Sequence, residues 1–299
     1  MTLQKRVQFD FEVEFLNGGG LQGQSFRLDL AGDEIDDRAL ADLIVRDLRL
    51  LMVGSVRILN KQIIDEPHKR GGSAPAFGKA VNARCIDLSH VIEDGMITYK
   101  GLPAPLICDH LSRLQSRSLY AQGTEFQIGR ITLVANTGTY IDSPFHRYAD
   151  GKDVSQLELA SIAGLDAVVV RVLGSSNRAI SRELFLSCDV RGKAVLIHTG
   201  WDAHWRTDQY FEGHPYLTAE AADYLRDSQA ALVGIDSLNI DDTGDLRRPV
   251  HTSLLGAGIP IVEHLCNLQQ LPTSDFRFTA VPPAIAGMGT FPVRAFATL

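Results

Sequence analysis

The chain lacks most of the arrangements that announce a chemistry. Its four cysteines, Cys85, Cys108, Cys188 and Cys266, are widely separated and form no Cys-x-x-Cys pair. That excludes a zinc knuckle and a thioredoxin-like redox site, and it reads as buried free thiols in a reducing compartment. No Gly-x-Ser-x-Gly elbow precedes a helix, and no cysteine has a catalytic histidine near it in sequence, so a serine or cysteine nucleophile is unsupported. Gly18-Gly-Gly20 begins no helix and is followed by no Lys-Ser or Lys-Thr, which makes it a hairpin turn rather than a phosphate loop, and a dinucleotide fingerprint is missing. A concentrated positive face is also lacking: the net charge is -7, and the basic cluster His68-Lys-Arg70 adjoins a glycine-rich stretch. A nucleic-acid partner needs a concentrated basic face that is absent here. No apolar run approaches bilayer length, and the first residues are followed by alternating Phe and acidic residues rather than a signal core. A cytoplasmic protein with no membrane partner is expected.

What is present begins with a change of period. Val7, Phe9, Phe11, Val13 and Phe15 alternate with polar residues, which is the pattern of a strand with one wet face. Asn17-Gly-Gly-Gly20 then supplies a turn, and Ser25–Leu30 a returning strand. Ala39, Leu40, Leu43, Ile44, Leu48 and Leu51 follow at helical spacing, and Val56–Leu59 reads as a third strand. Residues 1–68 are thus predicted to form a small β-β-α-β module for interaction or oligomerisation. Lys69-Arg-Gly-Gly-Ser-Ala-Pro-Ala-Phe-Gly78 has linker composition, which sets a linker at 69–82 and a main domain at 83–299. In the main domain, apolar runs at Ala167–Val172, Ala194–Ile197 and Ala231–Ile235 alternate with helix-like stretches near 155–163 and 218–228, the latter capped by Thr218. That alternation predicts an α/β core.

The richest stretch is Asn136-Thr-Gly-Thr-Tyr-Ile-Asp-Ser-Pro-Phe-His146, after the strand-like Ile131–Ala135. Asn136, Tyr140, Asp142 and His146 are four, two and four residues apart, all even steps, so an extended chain would turn all four to one side, while Gly138 and Pro144 predict a turn or bulge that re-aims the last two of them. Taken singly, Asp142 reads as a turn residue, His146 as a satisfied buried imidazole and Glu263 as a surface carboxylate.

The run resembles the signature of the metal-dependent cyclase or kynurenine-formamidase-like hydrolase family, His-x-Gly-Thr-His-x-Asp-x-Pro-x-His. Thr137, Gly138, Thr139, Asp142, Pro144 and His146 match it, while Asn136 and Tyr140 stand at its first two histidines. Cys85–His90, Asp94-Gly-Met96 with Tyr99, Leu196–Trp201, His214-Pro215, Val233–Leu238 and Pro292–Ala295 are similar to further family segments, and His251 and Glu263 match its later metal ligands. The resemblance implies a β-rich, barrel-like α/β fold assembled as a homodimer or larger. It implies Asp142, His251 and Glu263 as metal ligands, with Asn136 as a possible oxygen donor, and His146 as acid and base. Two oxygen donors in place of imidazoles imply one divalent ion, manganese or zinc, rather than two. Tyr140 is open to two roles, donor to an oxyanion or hydrogen-bonded core, and Tyr99, Phe145 and Trp201 to substrate wall or plain core. The implied reaction is hydrolysis of a small cyclic or N-acylated carbonyl compound, an amide, lactone or lactam. Rival readings are a binding or regulatory protein that has lost its metal, and a metal-dependent lyase or cyclase.

Overall fold

A computed structural model describes residues 3–30, 34–48, 50, 52–67, 84–174 and 177–299. The chain divides into two compact units, Met1–Ala80 and Val81–Leu299. The linker expected at 69–82 lies outside the described residues.

In the first unit, β1 (Leu3–Phe15), β2 (Gly20–Asp29), α1 (Asp37–Asp47) and β3 (Val53–Pro67) follow in order. They form the expected β-β-α-β pattern, an antiparallel sheet of order β2-β1-β3. Alternation along β1 buries Val7, Phe9, Phe11 and Val13 against Leu40 and Ile44 of α1. The Asp36 side chain accepts from Ala39 N at 2.8 Å and caps that helix. The third strand is far longer than the run Val56–Leu59 that announced it, because its pairing with β1 carries polar residues along with apolar ones.

The second unit runs β4 (Cys85–Asp87), β5 (Leu106–Leu111), α2 (Arg113–Ser116), β6 (Ile128–Thr132), β7 (Tyr140–Asp142), β8 (Leu165–Arg171), β9 (Ala179–Ile180), β10 (Ala194–His198), β11 (Tyr216–Leu217), α3 (Ala219–Asp227), β12 (Leu232–Ile235), α4 (Pro249–Gly256), β13 (Ile261–Glu263), β14 (Phe276–Thr279), β15 (Thr290–Pro292) and β16 (Phe296–Thr298). Nine strands form one sheet of order β15-β7-β13-β12-β10-β8-β14-β16-β4, strongly curled into a half-barrel. Its centre, β8, β10, β12 and β13, is parallel, and both flanks are antiparallel. The continuous apolar runs of the parallel strands are explained by burial on both faces. Ala167, Val169, Leu196, Leu232 and Val262 enter one core, and Val168, Val170, Val195, Ile197, Val233 and Ile261 enter the other. The second core is covered by Ala221, Ala222 and Leu225 of α3 and by Val250, Leu254 and Leu255 of α4.

Three local expectations change. Residues 155–163 hold a single 3-10 turn, Leu159–Ser161, because the Asp153 carboxylate ties down Ser155 N and Gln156 N and Gly164 at φ 64° ends the segment, leaving too little chain to propagate a helix. The strand before the polar run stops at Thr132 and is exposed throughout, paired only with β5. Of the cysteines, only Cys266 is buried; Cys85 is exposed and the other two are half-buried. No helix among the described residues is long and apolar enough to cross a membrane.

Candidate metal centre

Strand register assembles the centre. β7 is hemmed between β13 and β15, antiparallel to both, so that Tyr140 lies opposite Glu263 and Asp142 opposite Thr290. Side chains alternate along a strand, which sends Ile141 into the first core with Val262 and turns Tyr140 and Asp142 to the other face. Asp142 is 0% exposed and Glu263 1%. Beyond Asp142 the chain reverses through the 3-10 turn Pro144–His146, with Ser143 N donating to Gly289 O at 2.7 Å, and this return lays His146 beside Asp142.

His251 comes from the first turn of α4. The Asp241 carboxylate accepts from Val250 N at 2.8 Å and His251 N at 3.1 Å, satisfying two of the amides that a helix start leaves bare, and it also holds His251 Nδ1 at 2.6 Å. Pinned this way, the ring turns Nε2 toward Asp142 Oδ2 at 3.6 Å and Glu263 Oε1 at 3.8 Å. Burial opposes charge on this imidazole, but the neighbouring Asp142 carboxylate, the bond to Asp241 and the charge of Glu263 prevail and raise its pKa to about 10. Burial pushes the Glu263 carboxyl up to about 7, against the pull of His251.

The donors fit a divalent cation. Asp142, His146 and His251 each offer a ligand atom, all within 4.8 Å of one another. Asp142 Oδ2 is buried with no hydrogen-bond partner, a state that buried carboxylate oxygens avoid. Its 3.6 Å distance to His251 Nε2 is too long for a hydrogen bond, yet suits two atoms sharing an ion at about 2.0–2.2 Å each. Glu263 is more fully engaged: Oε1 accepts from Ile240 N and Oε2 from the Tyr140 hydroxyl, both at 2.6 Å.

The remaining expected residues fall in three places. The Tyr140 hydroxyl donates a hydrogen bond to Glu263 and lies 3.0 Å from the Tyr99 hydroxyl, so it faces the carboxylate rather than open space. Tyr99 in turn donates to Leu238 O at 2.5 Å and accepts from Asn239 Nδ2 at 3.0 Å. Asn136 is half-buried in the loop before β7, and Phe145 is half-buried next to His146. Trp201 is turned elsewhere, its Nε1 donating to Tyr210 O at 3.1 Å and its ring meeting His204. The aromatic behind Tyr99 and Tyr140 is instead the buried His264 ring, itself packed on Trp205, which stacks His90 at 3.9 Å.

The family model for Cyclase matches residues 86–242. The kynurenine formamidase of Geobacillus thermodenitrificans is 33% identical over 178 residues, 58% of this chain and 81% of that protein. The chain belongs to the cyclase family. The kynurenine formamidase of Bacillus cereus is 30% identical over 170 residues, covering 56% of this chain and 78% of the relative. A solved structure of a potential metal-dependent hydrolase with cyclase activity superposes with a TM-score of 0.59 at 26% identity, over 72% of this chain and 97% of that one. Isatin hydrolase A from Labrenzia aggregata, at 20% identity and a TM-score of 0.62 over 73% and 94% of the two chains, shares the fold. As a cyclase-family member the chain is a metal-dependent hydrolase.

Two groups in this cyclase-family centre escape sequence reasoning. Asp241 and Thr290 belong to no spacing pattern with the residues they serve, and Thr290 reaches Asp142 only through strand pairing. Asp241 had one usable signal, a carboxylate eight residues before Pro249 at a helix start. Replacement of Asp241 by Asn is expected to weaken cation affinity about 10- to 100-fold, as loss of an orienting partner does. Titration of the chelated protein with manganese or zinc by calorimetry measures it, and an unchanged affinity would remove Asp241 from the centre.

Proposed function

We propose that this chain hydrolyses a small cyclic or N-acylated carbonyl compound, an amide, lactam or lactone, at the Asp142–His146–His251 cluster. The observation that carries the reading is Asp142 Oδ2, a buried carboxylate oxygen with no partner that faces the Nε2 of an imidazole pinned from behind. Asp142 and His251 would hold one cation, manganese or zinc, with Glu263 adjacent and the Asn136 amide as a further donor from the loop. When bound, such an ion lowers the pKa of water to about 7 and polarises a carbonyl.

The chain's own residues supply the rest. His146, whose side chain is 35% exposed, is the one member of the cluster open to solvent, and it takes a proton from the attacking water and returns it to the leaving group. Tyr140 acts through Glu263, holding that carboxylate by its hydrogen bond, which replaces the oxyanion role as the better-supported one. Phe145 is the aromatic nearest His146 in the chain and is the candidate substrate wall. The amide class is supported by the two formamidases among the relatives. Exposed Leu106, Ile107, Ile128 and Ile131 on the β5–β6 hairpin support a homo-oligomer.

The test is turnover of N-formyl aryl amines, lactams and aryl lactones by metal-loaded protein in heavy-oxygen water. One solvent oxygen in the product is expected. A ring closure or elimination product without solvent oxygen would make the protein a cyclase or lyase, and silence across the panel at full metal occupancy would favour a binding protein.

A further inference from the structure

Thr290 lies between two members of the cluster, where its single hydroxyl proton has two polar neighbours to satisfy. Its Oγ1 donates to Asp142 Oδ1 and sits 2.8 Å from His146 Nδ1. An ionised carboxylate only accepts, so the hydroxyl proton goes to Asp142, and a hydroxyl that has given its proton away can only accept from the ring. His146 Nδ1 must then carry a proton, which leaves Nε2 with the lone pair. The direct alternative is weak, since His146 Nδ1 and Asp142 Oδ1 are 3.8 Å apart.

We infer that Thr290 is a positioning residue that fixes His146 as the Nδ1–H tautomer through an Asp142–Thr290–His146 relay, leaving Nε2 as the nitrogen that exchanges protons with water and leaving group. The inference rests on the hydrolase reading for its use in turnover, though the tautomer itself does not depend on it. The relay also divides the labour of Asp142. Oδ1 is spent on Thr290, and Oδ2, the oxygen without a partner, is left for the cation. Strand register makes the arrangement possible, because Thr290 is the cross-strand partner of Asp142 on β15 while His146 reaches it only by the turn after β7. A hydroxyl is the group required here: serine would preserve the relay, and valine would keep the shape while removing both bonds.

The experiment is nitrogen-15 spectroscopy of histidine-labelled full-length protein at mildly alkaline pH, with and without chelator, using His146→Gln to identify the His146 signals. The wild type is expected to show a protonated Nδ1 and a bare Nε2 in both conditions, Thr290→Ser to match it, and Thr290→Val to shift toward the Nε2–H form. With a working substrate, Thr290→Val should lower kcat about 10- to 100-fold with KM nearly unchanged, and Thr290→Ser should recover most of it. An Nε2–H signal in the wild type, or an unshifted signal in a folded Thr290→Val, would overturn the relay. The expected tautomers without turnover of any substrate would leave the relay standing and count against the hydrolase reading alone.

Discussion

Replacing His251 with alanine is expected to abolish metal retention. Purified wild-type protein should carry about one equivalent of manganese or zinc, and the variant less than about a tenth of that, since loss of a direct ligand costs more than the 10- to 100-fold attached to an orienting partner. The variant pays twice. With metal it loses the ligand, and without metal it leaves Asp142, Asp241 and Glu263 buried without the protonated ring that otherwise stands between them, a break worth about 3–5 kcal/mol in comparable buried pairs. Chelator separates these effects. A ligand held at 100 times its Kd stabilises the fold by about 2.7 kcal/mol, so chelator should lower the wild-type Tm by roughly 5–10 °C and leave the variant's Tm, already low, where it was. Elemental analysis beside thermal unfolding checks both. Equal metal in both proteins would place the cation elsewhere.

Gly289→Ala carries the second large effect, through shape instead of chemistry. A Cβ at this position would lie 2.5 Å from His146 N and 2.6 Å from its Cα, and 3.0 Å from the Phe145 carbonyl carbon, all of it backbone that cannot swing aside. The same glycine's carbonyl accepts from Ser143 N and Ser143 Oγ, so relief of the clash strains the turn that delivers His146. Overpacking of this kind costs about 1–3 kcal/mol, and a displacement near 1 Å at a reacting group costs about 100-fold in rate. The expected result is a folded protein with a Tm several degrees lower, normal metal content and at least about 100-fold less turnover. Retained activity would show that His146 need not sit where the turn puts it.

The contrast between these residues explains how much was legible beforehand. The run from Asn136 to His146 is local, so its spacing alone marks Asp142 and His146, and likeness to a family signature adds His251 and Glu263 across a hundred residues. Apolar alternation in β1 and continuous apolar runs in β8, β10 and β12 announce both units for the same reason, that burial imposes a period on the sequence. What pairs across strands leaves no such period. Thr290 and Asp142 are 148 positions apart and Tyr140 and Glu263 are 123, and only the register of β7 between its neighbours makes each pair a contact. Of the two roles open to Trp201, which closes a family-like segment, the bond of its indole to Tyr210 O favours plain core. The stretch near 155–163 has helical composition but too little length between its turn and Gly164.

A strand of three residues with partners on both sides behaves like a key cut in alternating notches. Tyr140 and Asp142 face the centre only because Ile141 between them fills the core, and Thr137–Thr139 sets where the notches fall. Adding or removing one residue there would exchange the two sides, burying a carboxylate in the apolar layer and presenting isoleucine to the cation. Length is therefore the inflexible property of this segment.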